Sequence, residues 1–187
     1  MIDVVYLEFS EEGQKSSLQS LLDLLQTTKI ELLREIGQTH RFAILQDNRG
    51  EAVDYDSLPG RLAPADIRPH RPYDVKASAG IKASDLVVLT HIDVPPPSLP
   101  ALEELYRPFM AASRAEQGAR GFDLLQSPAR PNHFTLVECW ASPSSAQAHS
   151  TAAHTLEFRK RLTPLLGALY DQRVYTRVPS GLTDSRP

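Results

Sequence analysis

A single cysteine, Cys139, excludes an intrachain disulfide in this 187-residue chain, and the six histidines have no cysteine pairs with which to complete a zinc-type spacing. No basic block occurs and the formal charge is only −3, which argues against nucleic acid and anionic membrane as partners. No apolar run approaches the roughly 20 residues needed to cross a bilayer. Asp3, Glu8, Glu11 and Glu12 fall where a secretory leader would be basic and then apolar. A Gly-rich phosphate loop, a Gly-x-Ser-x-Gly elbow and a redox cysteine pair are also missing. These absences point to a cytoplasmic protein. A hydrophobic content of 41% is enough for a real core in one domain or two small ones.

What is present is a repeat. Leu32 to Asn48 (LLREIGQTHRFAILQDN) resembles Leu124 to Trp140 (LLQSPARPNHFTLVECW), with Phe42 and Ile44 matching Phe134 and Leu136. Asp3 to Leu7 resembles Asp85 to Leu89, and Arg61 to Pro64 resembles Arg161 to Pro164. The second copy has Glu138, Trp140, His149 and His154; the first has Gln46 and Asn48 at the first two positions and no match to the histidines. Any pocket with chemistry is therefore expected in the second half.

Alternating and β-branched runs predict strands over Ile2–Phe9, Ile30–Glu35, Phe42–Gln46 and Tyr73–Ala77 in the first copy, and over Leu86–Val94, Gly121–Gln126, His133–Trp140 and Leu169–Val178 in the second. Helical spacing predicts helices over Lys15–Thr28 and, interrupted by Pro59-Gly60, within Glu51–Pro64. A third runs from a Ser98 cap to Gly118, kinked at Pro108. A fourth runs from Ser142-Pro143 to about Leu162. Each copy then reads strand-helix-strand-strand-helix-strand. The expected class is α+β with two ferredoxin-like (split βαβ) repeats, 1–78 and 84–178, joined near Ser78-Ala79-Gly80 and followed by a loose tail, 179–187.

The segments Ser113 to Gly118, Phe122 to Gln126, Asn132-His133-Phe134, Glu138-Cys139-Trp140, Ala148-His149, His154 and Phe158-Arg159 together resemble the antibiotic biosynthesis monooxygenase family of dimeric α+β barrels. The match covers about Leu86 to Val178, and the first copy looks like a degenerate member. The resemblance implies that the fused copies build inside one chain the barrel that the family usually makes from two subunits. It implies oxidation of an aromatic quinol or polyphenol by molecular oxygen with no cofactor. Other relatives imply haem binding or degradation, and the same fold could instead serve a non-catalytic binding role. A homodimer of whole chains stays open, through helices or sheet edges outside the internal barrel.

Oxygenation without a cofactor needs a base near neutral pKa and a dry cavity with aromatic walls. His149 is the candidate base, Trp140 the wall, and His91 a further catalytic candidate; Glu138, Phe134, Tyr106, Phe109 and His154 are candidate substrate contacts. On a continuous helix, His154 would stand about 140° around from His149. The pair then could not share a ligand, and no metal is expected. Glu138, on the apolar face of its strand, needs a partner, either Arg114 or a pocket histidine. Arg114 and Glu116 read as a surface or interface charge pair. His91 and Asp93 share a face that would line the pocket or the barrel interior, or else look out to solvent at an edge. Cys139 reads as a small core residue. An enclosed apolar cavity touching Trp140 and His149 would favour an enzyme, and a filled core there a scaffold.

Overall fold

A computed structural model describes residues 1–10, 18–23, 30–47, 53–76 and 81–179. The joint at Ser78-Ala79-Gly80 and the end of the tail lie outside the described residues, as does most of the helix expected over Lys15–Thr28, of which residues 18–23 are helical. The strands are β1 (Ile2–Glu8), β2 (Ile30–Glu35), β3 (Arg41–Asp47), β4 (Asp66–Asp74), β5 (Leu86–Asp93), β6 (Ala119–Gln126), β7 (His133–Trp140) and β8 (Asp171–Arg177). The second copy adds the helices α1 (Leu99–Arg114), α2 (Pro143–Thr151) and α3 (Ala153–Leu162).

The eight strands close into one antiparallel barrel in the order β1-β3-β2-β8-β5-β7-β6-β4. Each repeat contributes four neighbours in ferredoxin-like order, and the repeats meet at two seams, β2 on β8 and β4 on β6. Arg177 holds Glu31 at 2.5 Å across the first seam, and Arg71 reaches Gln126 across the second. Closure leaves no free sheet edge among the described strands, so edge pairing is removed as a route to a dimer. Among the described residues, no helix is long and apolar enough to cross a membrane.

Alternation along the strands sorts the core into three layers. The barrel interior holds Val4, Leu33, Val87, Leu89, Leu125, Cys139 and Tyr175. One outer layer packs Leu21, Leu22, Tyr55 and Leu58 on the sheet of the first repeat. The other packs α1 and α3 on the sheet of the second through Leu102, Tyr106, Phe109, Met110, Phe158 and Leu162.

The strand register corrects the internal matches. Tyr6 lies opposite Ala43 as His91 lies opposite Thr135, so Tyr6 and His91 are equivalent once Phe42 is matched to Phe134. The match of Asp3–Leu7 with Asp85–Leu89 is therefore three residues out, an odd shift that would reverse every face. Arg61 forms an isolated bridge with Phe9, whereas Arg161 is in α3, so that second match has no structural counterpart.

Besides the division of the last expected helix into α2 and α3, three elements differ from expectation. The second helix of the first copy is reduced, among the described residues, to one 3₁₀ turn, Tyr55–Ser57. β4 begins at Asp66 rather than Tyr73 and contains two prolines. Pro69 sits where the strand pairs only with β1 and Pro72 where it pairs only with β6, so each has one side on which no N–H is needed. Ser98 makes no capping bond, because the 3₁₀ turn Pro96–Ser98 feeds α1 from backbone already helical.

Gly118 reverses the chain after α1 at φ +89°, and its carbonyl accepts from Ala141 N–H at 2.8 Å. A Cβ here would lie 2.8 Å from Ser145 Cβ, and the Ser145 hydroxyl is tied to Ser142 in the α2 cap. Gly37, at φ +81°, has open space around its would-be Cβ. Gly37→Ala should cost about 1 kcal/mol from backbone strain alone, and Gly118→Ala roughly 2 kcal/mol or more, read by urea unfolding. Equal losses would show that Ser145 yields freely.

Candidate active site

β7 presents Phe134, Leu136, Glu138 and Trp140 to the helices, and Thr135, Val137 and Cys139 to the barrel interior. Trp140 is wholly buried. Its ring meets Phe122 edge-on at 6.0 Å and stacks on His149 at 4.6 Å. His149 is placed by α2, which starts where the Ser142 hydroxyl accepts from Ser145 N–H. The expected long helix breaks after α2. The Ser150 and Thr151 hydroxyls turn back onto the carbonyls of Gln147 and Ala148, Ala152 is extended (ψ 143°), and its carbonyl receives the N–H groups of Thr155 and Leu156 to start α3.

That break overturns the separation expected of the two histidines. His149 Nδ1 lies 2.5 Å and His154 Nε2 2.9 Å from the same oxygen, Oε1 of Glu116. Glu116 is thus a buried-side acceptor between two imidazoles, not a surface partner of Arg114. Arg114 serves the seam instead, donating to Asp74 Oδ1 at 2.9 Å and to the carbonyls of Asp74 and Phe122. Glu138 has its partners on the same face: Trp140 Nε1–H donates to Oε2 at 2.9 Å, and His149 Nε2 stands 3.7 Å from that oxygen.

Burial pushes the Glu138 carboxyl up to about 7, against the pull of the Trp140 hydrogen bond and the Arg159 charge. Burial also lowers His149, although its bond to Glu116 opposes this. Both shifts favour uncharged forms, so the 3.7 Å approach is not an ion pair at neutral pH. A neutral His149 that donates Nδ1–H to Glu116 keeps the Nε2 lone pair facing Glu138. Donor atoms of Glu116, His149 and His154 all lie within 4.8 Å of one another, an arrangement that could hold a cation.

The remaining candidates divide. Phe109 joins the site, 5.8 Å from the His149 ring and stacked flat on Phe158 at 3.8 Å. Phe134 and Tyr106 cluster instead with Tyr73, six residues along β7 from Trp140, roughly 20 Å at strand rise. The apolar slot joining the two ends, between Ile92, Tyr106, Phe109, Leu136 and Phe158, has a free volume of about 10 Å³ and touches neither Trp140 nor His149. The interlayer space is a filled core.

His91 is on the other face of the sheet and cannot share a substrate with His149. Its environment is the barrel interior, one of the three places open to it from the sequence. Since His70 Nδ1 can only donate to the Arg68 carbonyl (2.7 Å), its Nε2 accepts from Thr135, whose oxygen accepts from His91 Nδ1–H, leaving His91 Nε2 to accept from Tyr6. Burial pushes His91 down to about 4 and keeps this relay neutral. It borders a polar cavity of about 470 Å³ at the barrel mouth, which Arg68, Arg130 and His133 also line. Cys139 is buried, and burial raises its thiol to about 12, as suits an inert core residue.

In the first copy, Gln46 occupies the place of Glu138 and accepts a hydrogen bond from the buried Tyr55 hydroxyl. From the sequence alone, Glu116 has a surface or interface role, and Phe122 and Thr155, whose hydroxyl lies 3.3 Å from His149 Nδ1, are left out; the Ser150-Thr151 pair before two alanines is the signal that α2 stops.

Comparison with known proteins bears on the fold and on the family of the second half. No curated protein matches the sequence significantly. In fold, the chain is similar to a candidate monooxygenase from Fusobacterium nucleatum (TM-score 0.77, 14% identity, covering 95% of this chain and 92% of that one). It is similar to an anthrone oxidase-like protein (TM-score 0.69, 13% identity, 95% and 91%). It is also similar to a major regulator of staphylococcal pathogenesis (TM-score 0.69, 12% identity, 95% and 100%). At these identities the likeness concerns the fold alone. The profile of the antibiotic biosynthesis monooxygenase family matches residues 85–161, the stretch that carries Glu116, Glu138, Trp140, His149 and His154. Residues 85–161 are therefore an antibiotic biosynthesis monooxygenase domain, and the first repeat closes the barrel with it.

Proposed function

We propose that the second repeat is a cofactor-independent monooxygenase that oxidises an aromatic quinol, polyphenol or anthrone with molecular oxygen. The observation that carries this reading is a buried imidazole with a free Nε2, braced by Glu116 and Glu138 and stacked on Trp140. His149 takes the acidic proton of the substrate, and the resulting phenolate or carbanion supplies the electrons. For an activated methylene, one oxygen atom becomes the new ring carbonyl and the other leaves as water with the two methylene hydrogens. The substrate reaches the site from the His154 edge, where that side chain is 30% exposed, by parting the Phe109–Phe158 stack. His91 is a relay of the barrel core in this reading and takes no catalytic part.

The filled slot favours a second reading, a non-catalytic interaction protein of the same fold. Oxygen consumption by the metal-stripped protein with a panel of quinols and anthrones separates the two. Uptake should occur with at least one compound and fall at least ~100-fold in His149→Ala, the low end for loss of a general base. An active His149→Ala variant overturns the base assignment. A flat panel with the wild type favours the interaction reading.

A further inference from the structure

We propose that Glu116, His149 and His154 form a binding site for one divalent transition-metal ion of the class that prefers imidazole, such as Zn²⁺ or Co²⁺. The three donor atoms lie within 4.8 Å of one another and come from three different elements: the turn after α1, the end of α2 and the start of α3. Two imidazoles and one carboxylate on one side of a site, with the other side open, is the donor set of open non-haem metal centres, whereas Mg²⁺ and Ca²⁺ prefer all-oxygen sets. Openness is supplied at the solvent edge, where the side chains of His154 and Glu116 are 30% and 17% exposed; Phe109 walls the inner side at 5.8 and 6.2 Å from the two imidazole rings.

A second, independent observation points the same way. Histidines that bind metal through one nitrogen commonly donate the other N–H to a carboxylate, which fixes the ring and raises its basicity. His149 has that carboxylate: Nε2 stands 3.7 Å from Oε2 of the buried Glu138, which is itself held by Trp140 Nε1–H. Taking Nδ1 as ligand only moves the ring proton to Nε2, so the imidazole stays neutral and Glu138 becomes its acceptor. The ring orientation is already fixed by its stack on Trp140 and its contact with Phe122. A surface pair of histidines would have neither constraint.

The inference concerns binding and does not rest on the oxygenase reading, which belongs to the metal-free protein because a metal on Nδ1 puts the ring proton on the Nε2 that would serve as base. Loss of oxygen uptake in the panel leaves the inference standing, and failure of metal binding leaves that reading standing. Trp140 is the chain's only tryptophan and its ring is 4.6 Å from that of His149, so its fluorescence reports on this site and not on remote histidines. The metal-stripped full chain is titrated with Co²⁺. Saturable quenching at one equivalent is expected, with affinity at least ~10-fold weaker in His154→Ala and in Glu116→Gln and unchanged in His133→Ala. Glu116→Gln, which keeps shape and a hydrogen-bonding oxygen, carries the test if His154→Ala does not fold. Absence of quenching up to millimolar Co²⁺, or quenching of equal affinity in Glu116→Gln, overturns the proposal.

Discussion

Trp140→Ala is expected to destabilise the protein by about 4 kcal/mol, within the range for emptying a large buried aromatic site. The side chain is wholly buried, packed between Phe122 and His149, and its indole N–H is the hydrogen-bond donor to Glu138. The loss therefore combines a cavity with an orphaned buried carboxyl. In a chain of this size it should lower the melting temperature by roughly 10 °C. Trp140→Phe restores volume without the N–H and should recover a good part of the loss. Leu169→Ala is the control, because that residue is 95% exposed. A melting temperature within a degree or two of wild type in Trp140→Ala would mean that the layer between sheet and helices is not the packed core described.

The second large effect is in the pH dependence of stability. Glu138 has a folded pKa raised from 4.5 to about 7 by burial. A raised folded pKa means that the contribution of this group is fully present below about 4.5 and is lost as pH rises through 7, because the carboxyl must then ionise in a dry site. Over that window the loss is on the order of 3 kcal/mol. Glu138→Gln cannot ionise but can still accept from Trp140. Relative to wild type, the variant should gain stability steadily from pH 5 to 8, by roughly 10 °C in melting temperature at the top. His149 has a lowered pKa, so its own contribution is lost as pH falls; it is common to both proteins and largely cancels in the difference. Parallel melting curves for the two proteins would show that Glu138 is ionised and solvated in the native state.

The strands were readable because their physics is local. β2 and β7 fall where alternation places them, Ile30–Glu35 and His133–Trp140, and the four-strand order of each repeat follows from the split βαβ pattern. The shared face of Glu138 and Trp140 also follows from a period of two, whereas the face of His91 is settled only by its pairing opposite Thr135. β4 was misplaced because its prolines and charged residues mask a strand that is paired on only one side along much of its length.

The sequence by itself determined the repeat, the α+β class and the inequality of the two copies, and it named a short set of candidate residues around Trp140. The tertiary structure alone decided how that set divides. Whether His149 and His154 converge depends on a helix break at Ala152, which is set by competition between hydroxyl and backbone hydrogen bonds and not by apolar spacing. Whether Glu116 is a surface charge or the shared acceptor of two imidazoles depends on where Gly118 turns the chain, some thirty residues before His149 is reached. Whether the sheet and helices enclose a cavity depends on how Phe109, Phe158 and their neighbours fill volume. Volume is a property of side chains brought together from distant segments, and no periodicity along one segment encodes it.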